Sequence, residues 1–143
     1  MTPDTATAAP VWTLPPDLQA PARARHLVAG QLHVWHLDQI ADDALLIVSE
    51  LVSNAIRLGQ TVLLALKAVA DAGRRMLRIE VTDPGPGPAA TTPALPGDEA
   101  EHGRGLPIVD ILTDSWGCDR DPDRTLVWAQ LPLPSAAASP ALA

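Results

Sequence analysis

Within the stretch ELVSNAIRLG, residues 50–59, a glutamate and an asparagine stand four positions apart. On a helix, about 100° per residue brings Glu50, Asn54 and Leu58 into one row along the edge of an apolar stripe. Burying an amide without a partner costs ~1–3 kcal/mol, so Asn54 needs a reason to face inward. One reading is a boundary asparagine that bonds a neighbouring loop. The other is an amide oxygen aimed at a metal ion, with a carboxylate one turn earlier. Mg²⁺ takes oxygen ligands and keeps several waters, so one Asn together with phosphate oxygens suffices.

A second carboxylate, Asp83, closes the run MLRIEVTD and precedes PGPG. In a strand Leu77, Ile79, Val81 and Asp83 share one face, so parity sets Asp83 on the apolar side. It either caps the turn that follows or accepts a hydrogen bond from an exocyclic amine such as that of adenine. Gly85 and Gly87 would let a flat ring approach the backbone. Further on comes HGRGLPIV, residues 102–109. Pro107 suits the first turn of a helix, which puts Gly103 and Gly105 at or just before its N-terminus. That place attracts anions, and Arg104 would add charge. The other reading is a flexible loop ending. No Walker-type phosphate loop occurs in the chain.

Taken together and in this order, the three stretches meet the needs of Mg²⁺·ATP: a metal ligand, an adenine reader and a phosphate cradle. Here the chain resembles the GHKL superfamily, shared by DNA gyrase, histidine kinases, MutL and a class of heat-shock chaperones, with the Bergerat ATP-binding fold. ELVSNA is similar to its N box, DPGPG to its G1 box and GRGL to its G2 box. The closer likeness is to the small anti-sigma-factor serine kinases, through SELVSNA, DPGPG and GRGLPIVDILTDSWG. It spans about residues 11–133.

The resemblance implies a function as well as a fold. Asn54 would bind Mg²⁺ and Glu50 would be the general base toward an acceptor hydroxyl. Asp83 would read the adenine amine, with Gly85 and Gly87 bordering the base. Gly103, Arg104, Gly105 and Leu106 would meet the phosphates, and residues 88–102 would form the ATP lid. The implied activity is that of an ATP-dependent serine/threonine protein kinase that acts as an anti-sigma factor and phosphorylates a STAS-type antagonist protein. The alternative is an ATP-binding regulatory interaction module without kinase activity. The implied partners are a sigma factor and the antagonist, with dimerisation through the first strand and helix. The sequence departs from the family where Leu58 replaces a frequent histidine. It departs again at DRTLVW, where Leu126 takes the place of a threonine and Thr125 comes one residue early. The hydroxyl that often helps hold adenine is therefore expected to be missing or shifted. A detached histidine-kinase domain is disfavoured, because neither His26 nor His36 is followed by an acid.

These residues need elements to position them. Residues 11–14 read as a short strand and 20–36 as a helix. Asp38 could cap a second helix running to about Leu58. Residues 61–70 and 76–83 form an antiparallel hairpin around DAGRR. A loop of more than twenty residues follows, a length usual for lids or disordered segments. Residues 106–116 read as a helix, with a further short strand near Trp116, and 125–133 as a final strand. The expected fold is an α+β two-layer sandwich, a mixed, mostly antiparallel sheet covered on one face by about three helices. Residues 1–10 and 134–143 are expected to be mobile ends around a single domain, 11–133.

Bulk properties narrow the classes. The 143 residues carry a net charge of −7, which disfavours nucleic acid as a partner. No apolar run has transmembrane length and the N-terminus lacks the pattern of a signal peptide, so a cytoplasmic protein without membrane contact is expected. The lone Cys118 excludes an internal disulfide and reads as an inert thiol. The four tryptophans, Trp12, Trp35, Trp116 and Trp128, read as core residues.

Overall fold

In the computed structural model, residues 9–57, 59–71, 73–83 and 105–134 are described. The chain runs through β1 (Val11–Leu14), α1 (Ala20–Val34), a 3₁₀ turn (Asp38–Ile40) and α2 (Ala41–Ile56). Then come β2 (Val62–Asp71), β3 (Arg74–Asp83), α3 (Gly105–Leu112), β4 (Ser115–Asp121) and β5 (Arg124–Pro132). The strands form one sheet in the order β1-β2-β3-β5-β4, and each described pairing is antiparallel. The expected parallel element is thus not found among the described residues.

Strand parity explains the two layers. Val62, Leu64 and Leu66 of β2, Leu77, Ile79 and Val81 of β3, and Ala129 and Leu131 of β5 are all buried on one face. They join Ala24, Val28 and Leu32 of α1, Ala44, Ile47, Val48, Leu51 and Val52 of α2, and Val109 of α3 in a single core. The helical members recur every three or four residues, so each helix turns one stripe to the sheet. Trp12, Trp35 and Trp116 pack against this core. Trp128 does not, for it pairs with Glu80 and shares the face away from the helices.

Three boundaries differ from the sequence-based expectation. The first helix ends at Val34 because His36 adopts a left-handed φ of 61° and the Leu37 amide returns to the Leu32 carbonyl at 2.8 Å. Buried Leu37 then seals the helix end, as hydrophobic contacts do in such C-caps. Asp38 does not cap α2. It opens the 3₁₀ turn, and its carboxylate lies 3.1 Å from His33 Nδ1. The helix expected over 106–116 stops at Leu112. There the Thr113 hydroxyl bonds back to the Val109 carbonyl at 2.7 Å, and the Asp114 amide donates to the Gln130 carbonyl at 2.8 Å. That second bond draws the chain into β4, so Trp116 belongs to a strand.

Candidate functional site

The middle helix carries the first pair. α2 touches both α1 and α3. On its α1 flank, Arg25 donates to the Ser49 hydroxyl at 2.9 Å. Helical spacing puts Glu50 and Asn54 on the other side of the buried stripe from Ser49, hence on the flank turned to α3. Both are half-buried. Among the described residues neither side chain has a hydrogen-bond or ionic partner, whereas buried Asp83 does have one. A half-buried amide oxygen has the chemistry to serve as one ligand of a hard cation. Among the described residues no group of three His, Cys, Asp or Glu could hold a metal unaided. Asn54 therefore fits Mg²⁺ only with ligand oxygens completing the shell.

Asp83 ends β3 on the helix-side face and is 5% exposed. Its register partner across β3 and β5 is Thr125. Opposed residues of an antiparallel pair share a face, so the Thr125 hydroxyl accompanies the carboxylate. Leu126 pairs with Thr82 and faces the other way. The hydroxyl is thus shifted by one residue, as one of the two expected alternatives has it, and the register sets it on Asp83's face. Counting parity along β5 from Ala129 could have found it.

α3 begins at Gly105, with Leu106 and Pro107 in its first turn. Its other end is tied to the end of the sheet remote from Asp83, through the Asp114–Gln130 bond and a 3.3 Å ion pair between Asp114 and Arg74. Gly85, Gly87, Gly103, Arg104, Leu58 and the lid expected at 88–102 lie outside the described residues.

On the sheet face away from the helices, charged side chains form a separate cluster. Lys67 and Arg78 approach the Glu80 carboxylate at 3.0 and 2.6 Å. Arg78 also donates to Gln130 Oε1 at 3.2 Å and lies 4.5 Å above the Trp128 ring. Burial pushes the Glu80 carboxyl up, but the bonds from Arg78 and Lys67 outweigh it and hold the group below its ordinary value. A shallow recess of about 490 Å³ opens over this cluster. Its cations are already matched by Glu80, and none of the residues with nucleotide-binding chemistry lines it. Burial raises the Cys118 thiol, an effect larger than those of Arg120 and Asp119, as expected of an inert thiol.

A comparison with curated proteins finds no match. No helix among the described residues is long and apolar enough to cross a membrane. The family model of the histidine kinase-like ATPase domain matches residues 14–131, from the last residue of β1 to within β5. The match covers most of the 143 residues, together with the two-layer architecture and the stretches that carry Asn54, Asp83 and Gly105. The chain belongs to the histidine kinase-like ATPase domain family, a GHKL-type ATPase fold.

Proposed function

We propose that this chain is an ATP-dependent serine/threonine protein kinase of the anti-sigma-factor type, acting on a STAS-type antagonist and holding a sigma factor. The observation that carries the reading is the pair on α2. Among the described residues, Asn54 offers an amide oxygen without a partner, and Glu50, one turn earlier, a carboxylate without one. A site that only retained a nucleotide would need the asparagine but not the glutamate.

In this reading Asp83 and Thr125 hold the adenine edge, and Asn54 holds Mg²⁺ together with phosphate oxygens. The helix start at Gly105 meets the phosphates, where free amides and the helix dipole favour negative charge. Bound ATP supplies the γ-phosphoryl group and Mg²⁺ the charge neutralisation that phosphoryl transfer requires. Glu50 takes the proton of the acceptor serine or threonine hydroxyl as that oxygen bonds to phosphorus and the bond to the ADP oxygen breaks. Phosphorylation would change the antagonist's affinity for the chain by adding charge to its surface.

The test is incubation with labelled ATP, Mg²⁺ and purified STAS proteins, followed by location of the label. Transfer to a serine or threonine that is lost in Glu50→Ala supports the kinase. If the wild-type chain binds ATP and a sigma factor but labels no STAS protein, and Glu50→Ala regulates as well as wild type, the chain is a nucleotide-holding interaction module.

A further inference from the structure

Trp116, which its sequence context marks only as a core residue, makes a specific polar bond. It lies on the helix-side face of β4, opposite Ala129. Its indole N–H donates to Asp110 Oδ1 at 3.1 Å. An indole has only that one donor, and an ionised acceptor makes the bond stronger than a neutral one. Among the described side chains of α3, which run from Val109 to Leu112, Asp110 is the one bonded to the sheet. Val109 is buried in the core, while Ile111 is 78% exposed. Among the described side chains of this helix, Val109 and Leu112 supply apolar contacts with the core and Asp110 supplies a polar bond to the sheet.

We propose that Trp116 is a positioning residue. Through Asp110 it fixes the tilt of α3, and so the placement of the amides at Gly105 relative to the nucleotide phosphates. The inference rests on the nucleotide site described above. Among the described residues, the other polar ties of this region, at Thr113 and Asp114, lie beyond the last helical residue and act on the end remote from Gly105. A helix of eight residues is ~12 Å long. Pivoting by ~10° about its tied end would move the start by ~2 Å, and ~1 Å of misplacement can cost ~10²-fold in rate. The Trp116–Asp110 bond holds the helix at a second point, two residues before Leu112, and restrains that pivot. Adenine is read elsewhere, on β3 and β5, which do not depend on the tilt of α3.

That separation supplies a readout that simple destabilisation would not move. Affinities for ATP and for adenosine are measured on the full chain by displacement of a fluorescent nucleotide, with folding checked by circular dichroism. Trp116→Phe keeps an aromatic side chain but deletes the N–H together with the five-membered half of the indole, whereas Asp110→Ala deletes only the acceptor, from an exposed position. Each should weaken ATP roughly 5- to 20-fold while leaving adenosine within about twofold. The double variant should be no worse than either single one. Asp110→Asn, which keeps Oδ1 as acceptor, should restore ATP affinity nearly to wild type. If both ligands weaken in parallel, or neither does, Trp116 is a packing residue and the proposal falls while the nucleotide site stands. If the wild-type chain binds neither ligand, the nucleotide reading itself falls and takes this inference with it.

Discussion

Asp83 and Thr125 face each other across β3 and β5, on the side of the sheet that carries the helices. A carboxylate that only accepts and a hydroxyl that both donates and accepts thus stand side by side at one end of the core. Asp83→Asn should weaken ATP binding at least ~10-fold, because it offers a donor to the adenine amine. Thr125→Val, nearly isosteric, should weaken it by roughly 3- to 10-fold. Adding Leu126→Thr to Thr125→Val should restore nothing, since position 126 faces away with Thr82. Calorimetry of the variants decides this, and recovery of affinity through a threonine at 126 would show that the register is wrong.

Glu50 and Asn54 separate chemistry from binding. A general base acts chiefly in the transition state and contributes about 10²–10⁴-fold to rate. Glu50→Ala should keep ATP affinity within about threefold while phosphotransfer falls by that factor. Asn54→Ala should lose both, because the Mg²⁺ that joins protein to phosphates goes with it. The checks are equilibrium binding and transfer rate on the same preparations. Loss of ATP affinity in Glu50→Ala would make the glutamate a ligand-binding residue.

Glu80 should make the sheet acid-sensitive. Its carboxyl is held below its ordinary value in the folded chain, burial opposing and Arg78 and Lys67 prevailing. A lowered folded pKa means that the ionised form stabilises the fold above the unfolded value, about 4.3. That contribution is lost as pH falls from there through the folded value. Glu80→Gln should therefore melt below wild type at neutral pH, with the difference shrinking on acidification below about pH 4.3. Melting curves at a series of pH values test it, and a gap that does not narrow would rule out the charged contacts as its origin.

Gly117 is required by Trp128. A Cβ at position 117 would lie 2.6 Å from Trp128 Cζ2 and 2.9 Å from Cε2. Gly117→Ala should therefore push the indole aside, disturb the Arg78 stack and cost ~1–3 kcal/mol. Gly30 is the control. It lies within α1, and a Cβ there meets nothing within 4 Å. Gly30→Ala should stabilise by ~0.5–1 kcal/mol through helix propensity. Chemical denaturation compares the two, and equal shifts would show that the Trp128 contact is unimportant.

What the sequence determined by itself is whatever repeats over a few residues. Helical spacing set Glu50 and Asn54 in one row, and strand alternation set Asp83 on the apolar face, because both follow from local backbone geometry. The three stretches in order, SELVSNA, DPGPG and GRGL, were legible as short strings, and with them the family. What the tertiary structure decided depends on partners far away in the chain. Thr125 meets Asp83 only through the β3–β5 register, 42 positions apart as 125 − 83. The helix after Gly105 stops at Leu112 because the Asp114 amide finds the Gln130 carbonyl of β5. LPIVDILTDSW taken alone keeps helical spacing through that point. Trp128 faces outward and Trp116 inward because β4 and β5 pair as they do, whereas composition makes all tryptophans look alike. Periodicity says which residues share a side, but only a sheet's register says which side chains from distant strands meet there.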